Sequence, residues 1–271
     1  MTLKQAYSYS VKFLEYNNVD ESDFKALCIC CHLAGVKNSD YTFHKDDFVP
    51  NRKLADMLWK LKEGEPLQYV IGKWDFYESE FSVGEGVLIP RPETEELVEL
   101  IVSQICNDKK TVFDLCAGSG CIGLSIARAC KNATVTLFEK SEKAFEYLKK
   151  NAQNDENATP LLFDINNSFN KKADIIVSNP PYIKTDDIKT LQKEVKKEPF
   201  IALDGGFDGL DFYRVINDKW YNNINKNGAL YLEIGENQGE DIKTVLTNFT
   251  DIEITKDIYG NDRIVKAVPK D

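Results

Sequence analysis

The sequence has no excess of basic residues and no long apolar run. Its 271 residues contain 34 Lys and Arg against 44 Asp and Glu, a net charge of −10 at pH 7. This sign disfavours a protein that coats nucleic acid by neutralising phosphates, and it suits a basic or polar partner better. No stretch approaches the roughly 18 consecutive apolar residues of a membrane span, and the first residues lack an apolar signal core. We therefore expect a cytoplasmic monomer with no membrane partner and no stable binding to nucleic acid.

The sequence also lacks a disulfide or metal-binding pattern among its seven cysteines. Their odd number and their scatter do not form a disulfide framework, so we expect reduced thiols. Cys28 and Cys31 have one Cys-x-x-Cys spacing, with His32 and His44 nearby. Structural zinc sites usually have a second ligand pair at regular spacing, and these cysteines fall in a helical pattern. We therefore predict no metal site.

Helical patterns occupy the first sixty or so residues. Thr2 and Gln5 match a capping box at the start of a first helix. A second helix is predicted from about Ser22 to Gly35, and a third ends at Gly64. From Gly64 the pattern becomes aromatic and alternating, which favours a β-hairpin. We predict a helical domain over residues 1–63 and a hairpin connector over residues 64–88.

Short β-rich runs alternate with helical stretches beyond residue 110, which predicts a mostly parallel sheet with helices on both faces. The predicted strands cover residues 111–115, 135–138, 161–163, 174–177, 229–234, 252–255 and 264–268. This part of the chain, residues 89–271, is predicted to form one α/β domain. Ligands of such sheets bind at the carboxyl ends of the strands, so the loops after the first, second and fourth strands should carry the chemistry.

A glycine loop follows the first of these strands. The segment Gly118-x-Gly120-x-x-Gly123 opens a predicted helix, and glycine lets the backbone approach a ligand closely. Glu139 ends the next strand, where a carboxylate can accept hydrogen bonds from ribose hydroxyls. These features predict a nucleoside cofactor, but NAD and S-adenosylmethionine both remain open. Asp164 follows the third strand and is either an acceptor for an adenine amine or an ordinary turn residue.

The segment Asn179-Pro180-Pro181-Tyr182 follows the fourth predicted strand. Its two prolines restrict the backbone and hold it rigid past the edge of the sheet. The side-chain carbonyl of Asn179 and the backbone carbonyl of Pro180 are two acceptors that can converge on one planar NH2 group. Tyr182 can stack on the same group. The alternative is a loop merely stiffened by proline, and the adjacent nucleoside loop favours the functional interpretation.

Together these motifs resemble those of the release factor glutamine methyltransferases, the PrmC or HemK family. The resemblance covers nearly the whole chain and rests on residues 64–69 with Gly72, and on residues 88–95, 114–120, 179–183, 198–199 and 257–263. Asn-Pro-Pro-Tyr alone is shared with DNA adenine and ribosomal RNA base methyltransferases. Ile-Pro-Arg-Pro-Glu-Thr together with the helical domain is much more specific. The loop departs from the family pattern at Cys116 and Ala117, where Gly and Thr are common, but both residues are small and we expect cofactor binding to survive.

The resemblance implies a Rossmann-like, seven-stranded methyltransferase fold with a helical N-terminal domain that recognises a protein substrate. It implies methyl transfer from S-adenosylmethionine to the glutamine of the Gly-Gly-Gln motif in class-1 peptide chain release factors. Its cofactor-binding residues would be Asp114, Cys116, Ala117, Gly118, Ser119, Gly120, Glu139, Asp164, Ile165 and Asn179. Its catalytic and substrate-binding residues would be Asn179, Pro180, Pro181 and Tyr182. Arg91 would either help to bind the substrate or be a surface or helix-packing residue.

Three other functions remain as alternatives at this stage. A DNA or RNA base methyltransferase would need a basic cleft or an added recognition domain, and the sequence has neither. An NAD-dependent oxidoreductase would use the glycine loop but would leave the Asn179-to-Tyr182 segment unexplained. A catalytically inactive binding module is disfavoured by the intact Asn179 and the full glycine loop.

Overall fold

The computed structural model describes residues 1–270, which divide into two compact units. The first unit contains Met1–Lys73 and the segment Gln192–Lys197, and the second contains Trp74–Leu191 and the chain from Glu198 onward. The segment Gln192–Lys197 thus belongs with the amino-terminal unit, although it follows several strands of the second unit in sequence. Within residues 1–270, no helix is long and apolar enough to cross a membrane.

Four helices form most of the first unit. They are α1 (Leu3–Tyr16), α2 (Ser22–Ala34), α3 (Asn51–Lys62) and α4 (Leu67–Ile71), with a short 3₁₀ segment at Asn38–Phe43. The predicted capping box opens α1: the Gln5 amide donates to Thr2 Oγ1 at 3.3 Å, and the Thr2 amide donates to Gln5 Oε1 at 3.0 Å. Gly35 ends α2 in the left-handed region, with φ +73°. The three predicted helices are therefore confirmed as α1, α2 and α3.

The interior of the first unit is mostly apolar but contains one buried lysine. Burial raises the pKa of the Cys30 thiol to about 11, so this cysteine packs as a small apolar side chain. Lys25 is only 3% exposed, and its Nζ lies 2.5 Å from Glu194 Oε1. A buried ammonium needs such a partner. Among residues 1–270, no group of three or more His, Cys, Asp or Glu side chains could hold a metal ion.

The hairpin is shorter than the alternating sequence pattern predicts. Its strands are β1 (Lys73–Phe76) and β2 (Ser79–Ser82), whereas residues 67–71 form the helix α4. The helix forms there because Pro66 accepts the amide of Val70 at 3.0 Å, and Gly72 ends it with φ +82°. The alternation of buried and exposed side chains therefore begins only at Lys73.

Seven strands form one sheet in the second unit. They are β3 (Thr111–Leu115), β4 (Thr134–Glu139), β5 (Ala158–Leu162), β6 (Ala173–Ser178), β7 (Ile224–Glu233), β8 (Phe249–Lys256) and β9 (Asp262–Pro269). Their spatial order is β5-β4-β3-β6-β7-β9-β8. Only the pairs that β9 makes with β7 and β8 are antiparallel. The predicted Rossmann-like, seven-stranded fold is confirmed, and the strand order reverses at β3.

Helices cover both faces of this sheet, because alternate residues of each strand point to opposite sides. Val112, Val135 and Val177 enter one core with α5 (Pro92–Ile105), α6 (Cys121–Ala129) and α7 (Glu142–Asn151). Phe113 and Phe138 enter the other core. The helices after β6 are α8 (Phe200–Leu203), α9 (Asp211–Val215) with a π-helical turn at Ile216–Trp220, and α10 (Gly239–Val245). Residues of α9, its π-helical turn and α10 pack in this second core.

The register of the central strands brings their carboxyl ends level. Leu115 of β3 pairs with Phe138 of β4 on one side and with Ser178 of β6 on the other. The Ser178 hydroxyl also donates to the Leu115 carbonyl at 2.6 Å. The residues that follow these positions therefore meet at one edge of the sheet, beside the reversal in strand order where ligands of such folds bind.

Candidate active site

A cleft opens at this edge of the sheet. The predicted site residues in its lining are Arg91, Cys116, Ala117, Gly118, Ser119, Glu139, Asp164, Ile165, Asn179 and Pro181. The structure therefore brings the glycine loop, the ends of β4 and β5, and the start of the Asn-Pro-Pro-Tyr segment to one cavity. Asp114, Gly120, Pro180 and Tyr182 do not line it.

The glycine loop makes a tight left-handed turn at the end of β3. Cys116 has φ +61° and Gly120 has φ +83°, both in the region that side chains disfavour. At Gly120 a side chain would also clash, because an added Cβ would lie 2.5 Å from Leu148 Cδ1. The Ala117 amide donates to the Phe138 carbonyl at 2.9 Å, which ties the loop to β4. This geometry requires glycine at position 120 and holds the loop backbone against the cleft.

Glu139 is held in place by the backbone on both of its oxygens. The Gly118 amide donates to its Oε2 at 2.8 Å, and the Ser141 amide donates to its Oε1 at 2.6 Å. Burial raises the pKa of this carboxyl, although these hydrogen bonds oppose the shift. Each carboxylate oxygen can accept more than one hydrogen bond. Glu139 can therefore still accept hydroxyl groups of a ligand in the cleft.

Asp114 lies beneath the glycine loop instead of in the cleft lining. Its Oδ2 accepts the amide of Gly123 at 2.9 Å, which fixes the first turn of α6. Its Oδ1 has no partner among the described residues, and the same holds for the buried hydroxyl of Ser119, which does line the cleft. Burial raises the pKa of Asp114 to about 7, against the opposing effect of the Gly123 amide. Of these two atoms, the Ser119 hydroxyl is the one that a ligand in the cleft could reach.

A second carboxylate reaches the cleft from the end of β5. Asp164 Oδ2 lies 2.8 Å from Lys140 Nζ, and Asp164 Oδ1 accepts the backbone amide of Asn166 at 2.9 Å. Burial raises its pKa, but the hydrogen bonds from Lys140 and Asn166 outweigh burial and leave the pKa lowered. Asp164 therefore presents a charged acceptor. It sits beside the apolar Ile165, which also lines the cleft.

The Asn-Pro-Pro-Tyr segment places its two polar side chains differently. Asn179 lines the cleft, and its Nδ2 donates to Thr94 Oγ1 at 3.3 Å. The ring of Tyr182 packs against the second core, and its hydroxyl donates to Glu233 Oε1 at 3.4 Å. The sequence suggested that Tyr182 stacks on a group in the cleft, but the ring does not line the cleft in the structure. Pro180 is buried outside the lining.

Arg91 binds a carboxylate of a distant segment. Its NH2 lies 2.5 Å from Glu198 Oε1, and the Ile89 amide donates to Glu198 Oε2 at 3.0 Å. The Glu198 side chain is 2% exposed and that of Arg91 is 32% exposed. Arg91 therefore joins two cleft-lining segments, and part of it remains open to the cleft.

Several lining residues were not identified from the sequence. They are Gly86, Leu88, Ile89, Pro90, Thr94, Cys121, Ile122, Phe138, Lys140, Ser141, Ala144, Phe163, Pro199, Ile201, Ala202 and Phe212. Residues 88–94 and Pro199 fall within segments that carried the family resemblance, so a signal for them existed. Nothing in the local pattern marks Ala144 or Phe212, since only the packed helices bring them to the cleft.

Two family models match the chain. The model described as "PrmC N-terminal domain" matches residues 5–72, and the one described as "Methyltransferase small domain" matches residues 93–200. The release factor glutamine methyltransferase of Thermodesulfovibrio yellowstonii is 43% identical over 248 residues, covering 88% of this chain and 89% of the relative. The chain belongs to the release factor glutamine methyltransferase family. The family member of Bacillus cereus is 36% identical over 282 residues, covering 98% of this chain and 99% of the relative.

Solved structures support the fold of this family member and nothing finer. A methyltransferase from Pyrococcus furiosus superposes with a TM-score of 0.51 at 16% identity, covering 69% of this chain and 87% of that one. The hMettl16 catalytic domain superposes with a TM-score of 0.55 at 14% identity, covering 70% and 76%. The shared part is the fold, and the assignment of this chain as a methyltransferase follows from its family.

Proposed function

We propose that this chain transfers a methyl group from S-adenosylmethionine to the side-chain amide nitrogen of the glutamine in the Gly-Gly-Gln motif of class-1 peptide chain release factors. The position of Asn179 carries the proposal. Its Nδ2 is engaged by Thr94, so its carbonyl oxygen is the atom left to accept a hydrogen bond from a planar NH2 group in the cleft. The names of the relatives, which are 36% and 43% identical over most of both chains, support this substrate.

The residues of the cleft fit S-adenosylmethionine as the cofactor. Glu139 retains acceptor positions for ribose hydroxyls, and Asp164 offers an acceptor at the end of the neighbouring strand. The Ser119 hydroxyl lines the cleft and is buried without a partner, which is consistent with a polar ligand group nearby. When bound, this cofactor supplies a methyl group on a positively charged sulfur.

The chemical problem for the enzyme is the weak nucleophilicity of an amide nitrogen. Its lone pair is delocalised into the carbonyl group, so it must be oriented and made more electron-rich. A hydrogen bond from the NH2 group to Asn179 Oδ1, the acceptor of this segment that lines the cleft, would do both, by fixing the nitrogen and by favouring positive charge on it. Within the Asn179-to-Tyr182 segment no His or Lys is needed as a base, because the nitrogen becomes strongly acidic as it gains the methyl group and then releases a proton.

The proposal includes a role for each part of the chain. Residues 1–63 form the helical domain that recognises the release factor, residues 64–88 form the connector, and residues 89–271 form the catalytic domain. Exposed aromatic side chains of the helical part, such as Phe43 at 85% exposure and Phe48 at 72%, support a protein-binding role. The enzyme acts as a cytoplasmic monomer and forms no stable complex with nucleic acid. Phe43→Ser should raise the KM for the release factor and leave cofactor affinity unchanged.

Incubation of the purified chain with a class-1 release factor and S-adenosylmethionine tests the proposal. Mass spectrometry should detect one added methyl group on the release factor. The same release factor with Gln→Ala in its Gly-Gly-Gln motif is the control and should stay unmodified. Cofactor binding without any methylation of the release factor would reject the proposed substrate, and duplex DNA and ribosomal RNA would then be tested as substrates.

A further inference from the structure

One buried carboxylate contacts Tyr182 of the Asn-Pro-Pro-Tyr segment directly, and it reaches Asn179 of the same segment through Thr94. Glu233 is the last residue of β7 and is 2% exposed. Its Oε2 accepts the Thr94 hydroxyl at 2.6 Å, and its Oε1 accepts the Tyr182 hydroxyl at 3.4 Å. The Tyr213 hydroxyl donates to the Glu233 backbone carbonyl at 3.0 Å and holds the end of the strand. No role in the family resemblance or in the predicted site accounts for Glu233.

Thr94 transmits the position of this carboxylate to Asn179. A threonine hydroxyl has one proton, and that proton is committed to Glu233 Oε2. The hydroxyl can therefore only accept from its other neighbour, Asn179, whose Nδ2 lies 3.3 Å away. If the Asn179 amide were rotated by half a turn, its Oδ1 would face the Thr94 oxygen, and two acceptors would then lie against each other without a proton between them. The ionised carboxylate thus selects one of the two amide orientations.

We propose that Glu233 is a positioning residue which, through the Thr94 hydroxyl, keeps the carbonyl oxygen of Asn179 available to accept a hydrogen bond from the substrate amide. This inference rests on the proposed function, since it needs a substrate NH2 group in the cleft. Neither Glu233 nor Thr94 has to touch the reacting atoms. The same carboxylate also fixes the Tyr182 hydroxyl, so it holds both polar side chains of the segment.

The orientation depends on the ionisation of Glu233. Burial raises the pKa of Glu233 to about 7, opposed by the hydrogen bond from Thr94 and by the charge of Arg263. The titratable groups facing it from the surrounding elements are Glu93 of α5, Cys121 of α6, Tyr182 after β6, Tyr213 of α9 and Arg263 of β9. Once protonated, the carboxyl can donate to Thr94, and the Thr94 hydroxyl is then free to donate to Asn179 Oδ1. Turnover should therefore increase as the pH rises through about 7.

Two substitutions separate orientation from packing. Glu233→Gln keeps the shape but supplies an NH2 group that can donate to Thr94, which permits the reversed Asn179 amide. Thr94→Val keeps the volume and removes the hydroxyl, whereas Thr94→Ser retains it. We expect Glu233→Gln and Thr94→Val to lower kcat by about tenfold or more, as expected when one group that orients a developing charge is lost. Their Kd for S-adenosylmethionine should stay within about threefold of wild type, under 1 kcal/mol.

The experiment measures kcat for release factor methylation from pH 6 to 9, cofactor Kd by calorimetry and the melting temperature of each protein. Thr94→Ser should restore most of the turnover that Thr94→Val loses, and Glu233→Gln should lose the rise in kcat near pH 7. Glu253→Gln, at an exposed position on β8, is the matched control and should behave as wild type. If wild type methylates a release factor without an inflection near pH 7, or if folded Thr94→Val keeps wild-type kcat, the role of Glu233 is rejected. If wild type itself methylates no release factor, the proposed function fails instead.

Discussion

Arg91 and Glu198 form an ion pair, with 2.5 Å between NH2 and Oε1, that joins two segments of the cleft lying 107 positions apart. Because Glu198 also accepts the Ile89 amide, its carboxylate fixes both the backbone and the side chain of the segment that leads into α5. The position of Thr94, three residues beyond Arg91, depends on the same segment. The pair therefore contributes to the geometry of the cleft as well as to stability.

Neutralising this carboxylate should destabilise the fold. Glu198→Gln leaves the Arg91 guanidinium without its counter-charge, and we expect the free energy of unfolding to fall by about 1–3 kcal/mol. The loss stays in this range because Arg91 is partly exposed and solvent can hydrate its charge. Urea unfolding measures the change. The control is Glu240→Gln in the exposed pair with Lys243, which should cost less than about 0.5 kcal/mol. Equal effects of the two substitutions would contradict a structural role for the Arg91 pair.

The glycine at position 120 should be required for both conformation and space. Gly120→Ala combines φ +83° with a Cβ placed 2.5 Å from Leu148 Cδ1. We expect a loss of stability of about 2–5 kcal/mol from strain and overpacking together, and weaker cofactor binding because the loop shifts. Gly260→Ala is a matched control, since its φ is +85° and an added Cβ meets nothing within 4 Å. It should cost about 1–2 kcal/mol and leave cofactor affinity unchanged. The cofactor Kd is measured by calorimetry and the free energy of unfolding by urea titration. Equal values for the two variants would refute this account of the loop.

The buried Asp114 should make stability depend on pH in an unusual direction. Its pKa rises from an ordinary 3.8 to about 7 in the folded protein, so its contribution to stability is full below 3.8 and is lost as the pH rises through about 7. Relative to Asp114→Asn, wild type should lose on the order of 2–4 kcal/mol across this range. Urea unfolding at several pH values provides the comparison.

Asp208 supplies a control of opposite sign for the Asp114 experiment. The hydrogen bond from Arg214 lowers its pKa from 3.8 to about 2, so its contribution is present above 3.8 and is lost as the pH falls through about 2. The difference between wild type and Asp208→Asn should therefore stay constant where the Asp114 difference changes. A flat difference for Asp114→Asn would show that this carboxyl ionises normally in the folded protein.

Removing the Asn179 amide should affect turnover more than cofactor binding. Asn179→Ala deletes the acceptor proposed for the substrate NH2 group, and we expect kcat to fall by about 100-fold or more, in the range for loss of one transition-state hydrogen bond. The Kd for S-adenosylmethionine should change much less. Asn154→Ala, at an exposed position, is the control. Turnover of Asn179→Ala within about threefold of wild type, under 1 kcal/mol of barrier, would rule out the assigned role.

The elements of the fold could largely be predicted from the sequence because each long segment has a clear period. The strands and α1 to α3 follow from alternation, helical spacing and caps such as Thr2 with Gln5. The short helix α4 could not be predicted this way, since five residues are too few to show a period and Tyr69 reads equally well as part of a strand. The start of β7 was likewise missed, since the predicted strand begins at residue 229 and β7 begins at Ile224.

The site could be predicted only as far as its local motifs reach. The glycine loop, Glu139 and Asn179 lie next to strand ends, so sheet topology alone brings them together. The contacts of Asn179 with Thr94 and of Thr94 with Glu233 join residues 85 and 139 positions apart, and they arise from packing that no local pattern encodes. For the same reason the sequence placed Asp114 and Tyr182 toward the ligand, whereas the fold turns both toward the protein interior.

Localisation of the methyl group by tandem mass spectrometry is the most direct test of the central claim. A class-1 release factor is incubated with S-adenosylmethionine and either wild type or Asn179→Ala, and the peptide that contains the Gly-Gly-Gln motif is fragmented. The account predicts a single methyl group on the side-chain amide of that glutamine, formed by wild type and strongly reduced with Asn179→Ala. A methyl group on any other residue, or equal methylation by both proteins, would contradict it.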